Sequence, residues 1–411
     1  MDIVITGMGV ISSVGSTVES YIDNLARGTV AIGPAPWPTP HGAPPFFAQV
    51  PDFEPADWLA ERTVTGTDRF AQFAVAAASG AVEMAGLAQP DPLRTAVTVG
   101  TSMGGLSTLS QAQHGWDADG PDGLPRNTVL KIWPNMAAAQ ITLRYGLHGP
   151  SLTTCTACAS SIDAIGVACG LIAGGTVDMA ITGGSEGWSE QDFTPAWVAA
   201  QATLGMTEAD PDPKLACRPF DADRVGIVNG EGAAMFVLES AEHARARGAR
   251  ALGWIRGYGS LADGYHPSAP APSGEWETMA MRAALRQAGM EPGDVSAVIA
   301  HGTGTPKGDS AEIRAINALF GDDAARVLVT SIKGSIGHCA GASGALSLAA
   351  AVAGMERDLV VPTAGTLTPD PEAEFDLVTG SARRGPVHAT IVNAFGFGGQ
   401  NASLVVADRP G

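Results

Sequence analysis

Short runs of β-branched and small apolar residues recur along the chain, and most of them stop at glycines. Residues 3–10 form the first, and their continuous apolar character predicts a buried strand. Between residues 12 and 28, Val18, Tyr21, Ile22 and Leu25 recur at helical spacing. Residues 31–55 are rich in proline and polar turn formers, which predicts an irregular surface excursion. A helix is predicted over 69–85, with Phe70, Phe73, Ala74, Ala77 and Val82 on its apolar face. Strands are predicted at 96–100, 177–182 and 233–238, the last running from edge to core, and helices at 135–144 and 241–247. Residues 111–125 are polar and turn-rich and predict a loop or lid; residues 187–208 carry Trp188 and Trp197 but show no period.

The same grammar repeats after residue 250. Strands are predicted around 253–259, 295–300, 327–330, 388–393 and 402–406, with helices at 276–288, 309–320 and 342–355. Three strand exits read alike: AVTVGTSMGG, AVIAHGTGTP and TIVNAFGFGG. The pattern is that of an α/β protein made of two similar halves, residues 1–250 and 251–411, in one body, with function expected where strand ends meet.

Composition narrows the chemistry. A net charge of −18, with 24 basic residues against 42 acidic, excludes a nucleic-acid surface. No long uninterrupted apolar stretch is present and MDIVITGMGVISSVG lacks the features of a leader, so a cytoplasmic protein without a membrane span is expected. Of five cysteines, Cys155 and Cys158 alone form a C-x-x-C pair, and no second pair completes a four-sulfur site. GMGVISSVG does not fit the dinucleotide fingerprint, and no glycine-rich loop fits the phosphate-loop pattern.

The stretch SLTTCTACASSIDAIGVACGLIAGG passes from a polar segment into a small-residue helix. If the helix starts at Cys158, its free N–H groups and dipole favour a thiolate there; otherwise Cys158 is a buried structural thiol. His301 in HGTGTPKGD and His338 in KGSIGHCAG stand at successive strand exits. Two imidazoles and a thiol suit acyl transfer and an enolate oxygen. Lys333, one of four lysines, lies in a glycine-rich turn: a surface residue, or one that orients Glu312 and a histidine. Asp309 and Glu312 share a helix face and either pair with Lys333 or His338 or complement the helix N-terminus. In AFGFGG the N–H of Phe397 can join that of Cys158 as an oxyanion hole, while Phe395 and Phe397 are core plugs or gates. Thr303 and Thr305 can bond an amide-bearing arm or cap their turn. Nothing points to a metal or a nucleotide.

With ITGMGVISSVG, TACASS, CRPFDADRVGIVNGEGAA, HGTGTPKGDSAE, SIKGSIGHCAGASG and NAFGFGGQN in order, the chain resembles the β-ketoacyl synthases from end to end. The resemblance implies the thiolase-like fold, five αβαβα layers from two similar halves, residues 1–250 carrying the nucleophile and 251–411 the histidines and the gate. It implies Cys158 as acyl acceptor, His301 and His338 as the pair promoting decarboxylation, and Lys333 and Glu312 as their supporting charges. Phe397 becomes the gate whose N–H completes the oxyanion hole, and Thr303 and Thr305 the holders of a phosphopantetheine arm. Phe395 joins the substrate-binding residues. Trp133, in LKIWPNM, falls where the family lines the acyl pocket or a dimer contact; the final GGQN departs from the commoner GGTN.

The implied reaction is decarboxylative condensation of malonyl-acyl carrier protein with an acyl chain on Cys158, without a bound cofactor. The discrete chain resembles a type II polyketide component, with a housekeeping fatty-acid synthase as the alternative. Partners implied are acyl carrier protein and either a second copy or a chain-length-factor-like ketosynthase. The presence of Cys158 speaks against the chain being a silent chain-length factor, and the two histidines without a second late cysteine speak against a thiolase.

Overall fold

The computed structural model describes residues 3–35, 46–188, 194–206 and 212–411. The proline-rich stretch at 31–55 and the tryptophan-bearing stretch at 187–208 therefore lie partly outside the described residues. Within them, Gly33–Pro34 pairs with Phe46–Phe47, and Thr194–Thr203 is helical.

Strand β1 (Ile3–Ser12) is buried at every position, so its sequence shows no polar alternation. The first half continues with β2 (Thr95–Gly100), β3 (Ser151–Thr154), β4 (Met179–Glu186) and β5 (Gly232–Ser240). The second half holds β6 (Gly253–Ala262), β7 (Ala297–Ile299), β8 (Leu328–Thr330), β9 (Ala389–Gly396) and β10 (Gln400–Ala407). Spatial order is β3-β2-β4-β5-β1 in one half and β8-β7-β9-β10-β6 in the other, the same order twice. In each, the second strand runs parallel to both its neighbours. The halves join where β1 and β6 pair antiparallel, Ile3 opposite Ile255. Strand β5 lies between β1 and β4, so the stretch read as running from an edge is central.

Among the described residues, the longer helices of the other layers include α1 (Val18–Ala26), α2 (Arg69–Met84), α3 (Leu106–Asp119), α4 (Met136–Tyr145), α5 (Ser160–Ala173), α6 (Glu275–Ala288), α7 (Pro306–Phe320) and α8 (Ser343–Glu356). Helices α5 and α8 occupy the middle, each touching strands of both halves. That position explains their composition: SSIDAIGVACGLIA and SGALSLAAAVAGME carry small residues on all sides. A Cβ on Gly344 of α8 would sit 2.5 Å from Ile162 of α5, so the helices meet without room for a side chain. Helix α2 with α4 covers the first sheet outside, and α6 with α7 the second. The result is five layers, αβαβα.

The expected loop at 111–125 is instead the body of α3 followed by a 3₁₀ turn at Gly120–Gly123. Only Ser107, Thr108 and Ala112 of α3 are buried, so no apolar stripe marks it in the sequence.

Candidate active site

Strand β3 ends at Thr154, a 3₁₀ turn spans Ala157–Ala159, and α5 begins at Ser160. Ala157 has φ 50°, a left-handed conformation that a residue with a Cβ seldom adopts. Its carbonyl is held by the hydroxyls of Ser102 at 2.7 Å and Ser160 at 2.6 Å, and the Ser160 hydroxyl also accepts the Thr156 N–H at 2.9 Å. The turn so braced presents Cys158, half-buried, to a cavity of about 620 Å³. The chain leaving β9 lies directly against this turn. A Cβ on Gly396 would come within 2.9 Å of the Thr156 carbonyl and 3.0 Å of the Cys158 nitrogen. The backbone N–H groups of Cys158 and Phe397 are near enough to the Cys158 sulfur to favour its ionised form.

Burial raises the Cys158 thiol to about 11; Lys333 and the two N–H groups pull it back, and Glu186 pushes it further up. The thiolate expected from the helix start is therefore not the resting form. The helix begins two residues after the sulfur's own, and desolvation outweighs its dipole.

His301 follows β7 and His338 follows the short helix Lys333–Ile336; their rings stand edge to face, 5.5 Å apart. A nitrogen of each and the Cys158 sulfur all lie within 4.8 Å of one another. Hydrogen bonds fix both tautomers. His338 Nδ1 accepts the Ala340 N–H at 2.8 Å, so its proton is on Nε2, which is buried with no protein partner. His301 Nδ1 faces Lys333 Nζ at 3.4 Å, while the same ammonium donates to the His301 carbonyl. Both rings then carry their proton on Nε2, and both residues line the cavity. Burial and the Lys333 charge keep both neutral, His301 well below its usual value and His338 lowered to about 3.

Lys333 is 1% exposed, so the surface reading of that residue is wrong: it is a buried cation in a helical turn. Burial lowers its pKa, and the Glu312 carboxylate is the largest opposing influence. Glu312 itself accepts the N–H groups of His301 at 2.8 Å and Gly302 at 2.7 Å and the Asn393 amide at 3.1 Å; burial nonetheless raises it to about 7. Asp309 accepts from Phe220, Thr303 and Gly304. Neither carboxylate bonds Lys333 or His338 directly, because the unpaired N–H groups at the β7 exit claim them first.

The hydroxyls of Thr303 and Thr305 meet at 2.8 Å on the cavity wall. Phe395 is buried with its ring 5.9 Å from His301, and Phe397 is exposed at the cavity. Trp133 is 53% exposed and is not among the residues lining this cavity, which leaves the dimer-contact alternative for it. Cys155, exposed, does line the cavity. A soft metal would find a thiol and two imidazoles here, but the Lys333 ammonium beside His301 opposes a cation.

Several contributors escaped the sequence reading. Glu186 accepts from Thr101, Ser102, Met103 and Gly341, tying the loop after β2 to the approach to α8. Asn393 braces Glu312. Gln201 and Asn229 exchange two side-chain hydrogen bonds, 2.6 and 3.3 Å, on the cavity wall. A glutamate closing the apolar strand β4 was the one readable signal among them.

Such paired sheets around two small-residue helices are the thiolase-like fold, here with a thiol and two imidazoles at one cavity. Residues 1–244 match the model for the β-ketoacyl synthase N-terminal domain and residues 252–366 that for the C-terminal domain. The chain belongs to the β-ketoacyl synthase family, acyltransferases that form carbon–carbon bonds. A 3-oxoacyl-[acyl-carrier-protein] synthase 2 of Staphylococcus aureus is 36% identical over 409 residues, 98% of this chain and 97% of that protein. The solved structure of the ishigamide ketosynthase/chain length factor matches with a TM-score of 0.91 at 33% identity over 99% of both chains. A type II PKS acyl-carrier protein in complex with its ketosynthase bound to the hexaketide matches at 0.88 and 26% identity, again over 99% of both. Among the described residues no helix is long and apolar enough to cross a membrane.

Proposed function

We propose that the chain condenses malonyl-acyl carrier protein with an acyl group held on Cys158, in a type II polyketide system of the cytoplasm. The observation that carries the chemistry is the convergence of Cys158, His301 and His338 within 4.8 Å, with both imidazoles neutral. In the first step the thiol displaces the carrier's sulfur, which leaves with the proton. The tetrahedral oxygen sits on the N–H groups of Cys158 and Phe397. In the second step malonyl thioester loses carbon dioxide, and the enolate oxygen is held by the Nε2–H groups of His301 and His338. The enolate carbon then attacks the acyl carbonyl, the bond to Cys158 breaks, and the sulfur recovers a proton from solvent. Lys333 fixes the His301 tautomer and Glu312 holds its backbone. Residues 1–250 supply the nucleophile, and residues 251–411 the histidines, the Phe397 gate and the Thr303–Thr305 pair for the carrier's arm.

The polyketide assignment rests on the Gln201–Asn229 amide pair. Those amides are already buried and bond each other; a saturated chain gains nothing from them, whereas a chain carrying oxygens can use their remaining donor and acceptor capacity. The likeness to the ishigamide and hexaketide-bound ketosynthases supports the same reading, and the likeness to the staphylococcal protein keeps a fatty-acid role as its alternative. The β3 edge, with Leu152 exposed on it, and the exposed Leu143 of the neighbouring α4 fit a second ketosynthase-fold chain, a copy or a chain-length-factor-like partner.

Intact-mass measurement after incubation with acyl-carrier proteins bearing saturated, unsaturated or β-oxygenated chains tests the proposal. Acylation at Cys158, absent from Cys158→Ala and favouring the oxygenated or unsaturated chains, is expected. Condensation retained by Cys158→Ala overturns the mechanism, and preference for saturated chains overturns the polyketide assignment.

A further inference from the structure

Glu277 sits in the first turn of α6 and is 4% exposed, yet it is one of the residues lining the same cavity as Cys158. Its Oε2 is buried without any hydrogen-bond partner. The side chain is not a helix cap that has drifted inward: no backbone N–H bonds that oxygen, and the N-cap residue is Gly274. Nor is it half of a buried ion pair. The charged groups that act on it are all carboxylates, Glu312, Asp263 and Asp309, and with burial they drive its pKa well above the usual range. Burial first, and then the three carboxylates, favour the neutral acid at Glu277, whose Oε2 has no partner in the protein. The carboxylates around it do not converge as metal ligands either; among the described residues only Cys158, His301 and His338 do.

A buried, unpaired polar group costs stability, and that cost is recovered only when a ligand completes it. Position names the ligand. Asp309 bonds the N–H groups of Thr303 and Gly304, and the Asp263 N–H bonds the Gly399 carbonyl beside the Phe397 gate. Glu277 thus belongs to the second-half wall, with Thr303 and Thr305, while the Gln201–Asn229 pair lies on the first-half wall beside His338. In the condensing role proposed above, the carrier's arm runs along the wall of Thr303 and Thr305, where Glu277 stands. The arm's hydrogen-bonding groups are its secondary amides, whose carbonyls accept an O–H.

We propose that Glu277 is a positioning residue that donates a hydrogen bond to an amide carbonyl of the carrier's pantetheine arm, adding to the threonine pair. The inference rests on the condensing role proposed above but has its own test. Glu277→Leu removes the donor at similar volume, and Glu277→Gln keeps one. In Glu277→Leu the KM for acyl-carrier protein in Cys158 loading and for malonyl-carrier protein in decarboxylation should both rise about five- to tenfold, the loss of one neutral hydrogen bond. Turnover at saturation should stay near that of the wild type, and Glu277→Gln should stay near the wild type in both KM values. The melting temperature of Glu277→Leu should rise, since an apolar group replaces an unpaired buried acid; a structural role would lower it. With an acyl thioester of ethanethiol, which has no amides, wild type and Glu277→Leu should load Cys158 equally. Unchanged KM values, a rise in only one half-reaction, a defect that persists on the amide-free thioester, or a Glu277→Gln as impaired as Glu277→Leu would each overturn the proposal. Wild-type loading of Cys158 in the same assays keeps its failure separate from failure of the condensing role.

Discussion

Cys158 holds its proton at neutral pH, and this sets how the site must be approached. With the thiol raised to about 11, the thiolate fraction grows tenfold for each pH unit through the neutral and mildly alkaline range. Alkylation by iodoacetamide should therefore accelerate continuously from roughly pH 6 to pH 9, as a free thiolate fraction dictates. A plateau below that upper limit would mean a thiolate stabilised at rest. His338, lowered to about 3, stays neutral throughout this range, so its protonation cannot produce an acid limb above about pH 5. Lys333→Met should keep the fold, because it replaces a buried charge by an apolar chain of similar length, yet cut malonyl decarboxylation by about 100-fold through loss of the His301 tautomer. Carbon dioxide release and a melting curve, measured together, check both halves. At this scale the histidines and the cysteine were legible because each stands at the end of an apolar run in a glycine-rich setting. The burial of Lys333 was not: a lysine among glycines looks the same on a surface turn as beneath a sheet edge, and only the carbonyl of His301 shows which it is.

Among elements, the contact that matters most is between the turn of Cys158 and the exit of β9. Gly396→Ala must push the Phe397 loop away from the Cys158 nitrogen, since its Cβ would stand 2.9 Å from the Thr156 carbonyl. Acyl loading should fall by about 10- to 100-fold as one oxyanion donor withdraws, with malonyl decarboxylation much less affected. Equal loss in the two assays would show that Phe397 serves both steps alike. The strands and central helices were readable because burial on both sides writes continuous apolar runs. Helix α3 was hidden for the opposite reason, since it buries so little that its polar sequence resembles a loop. Ala157 is a subtler case: its left-handed backbone is imposed by the hydroxyls of Ser102 and Ser160, from elements far apart and just beyond it, and no local preference announces it.

In the whole molecule, the two halves meet through α5 and α8 at Gly344 and Ile162. Gly344→Val drives a side chain into a contact of 2.5 Å and should cost about 1–3 kcal/mol in denaturant unfolding, more if the helices cannot separate. The exposed β3 edge and its apolar neighbours make the opposite prediction, for association rather than folding. With a second ketosynthase-fold chain on this face as proposed, Leu143→Glu with Leu152→Glu should leave the melting temperature nearly unchanged while reducing the sedimenting mass; unchanged mass would remove this face as the interface. The repeated strand order was foreshadowed by three similar strand exits, whereas the joining of β1 to β6 had no local signal, because pairing across about half the chain leaves no short-range pattern.

Strand β1 carries a consequence for synthesis on the ribosome. Both strands that flank it, β5 and β6, begin more than two hundred residues later in the chain. At a translation speed of about 5–20 residues per second, IVITGMGVIS must wait on the order of ten seconds or more before a neighbour exists to pair with it. During that interval a segment destined for the centre of the sheet is open to solvent and to other nascent chains. The chain can complete its sheet only when the second half has begun to appear.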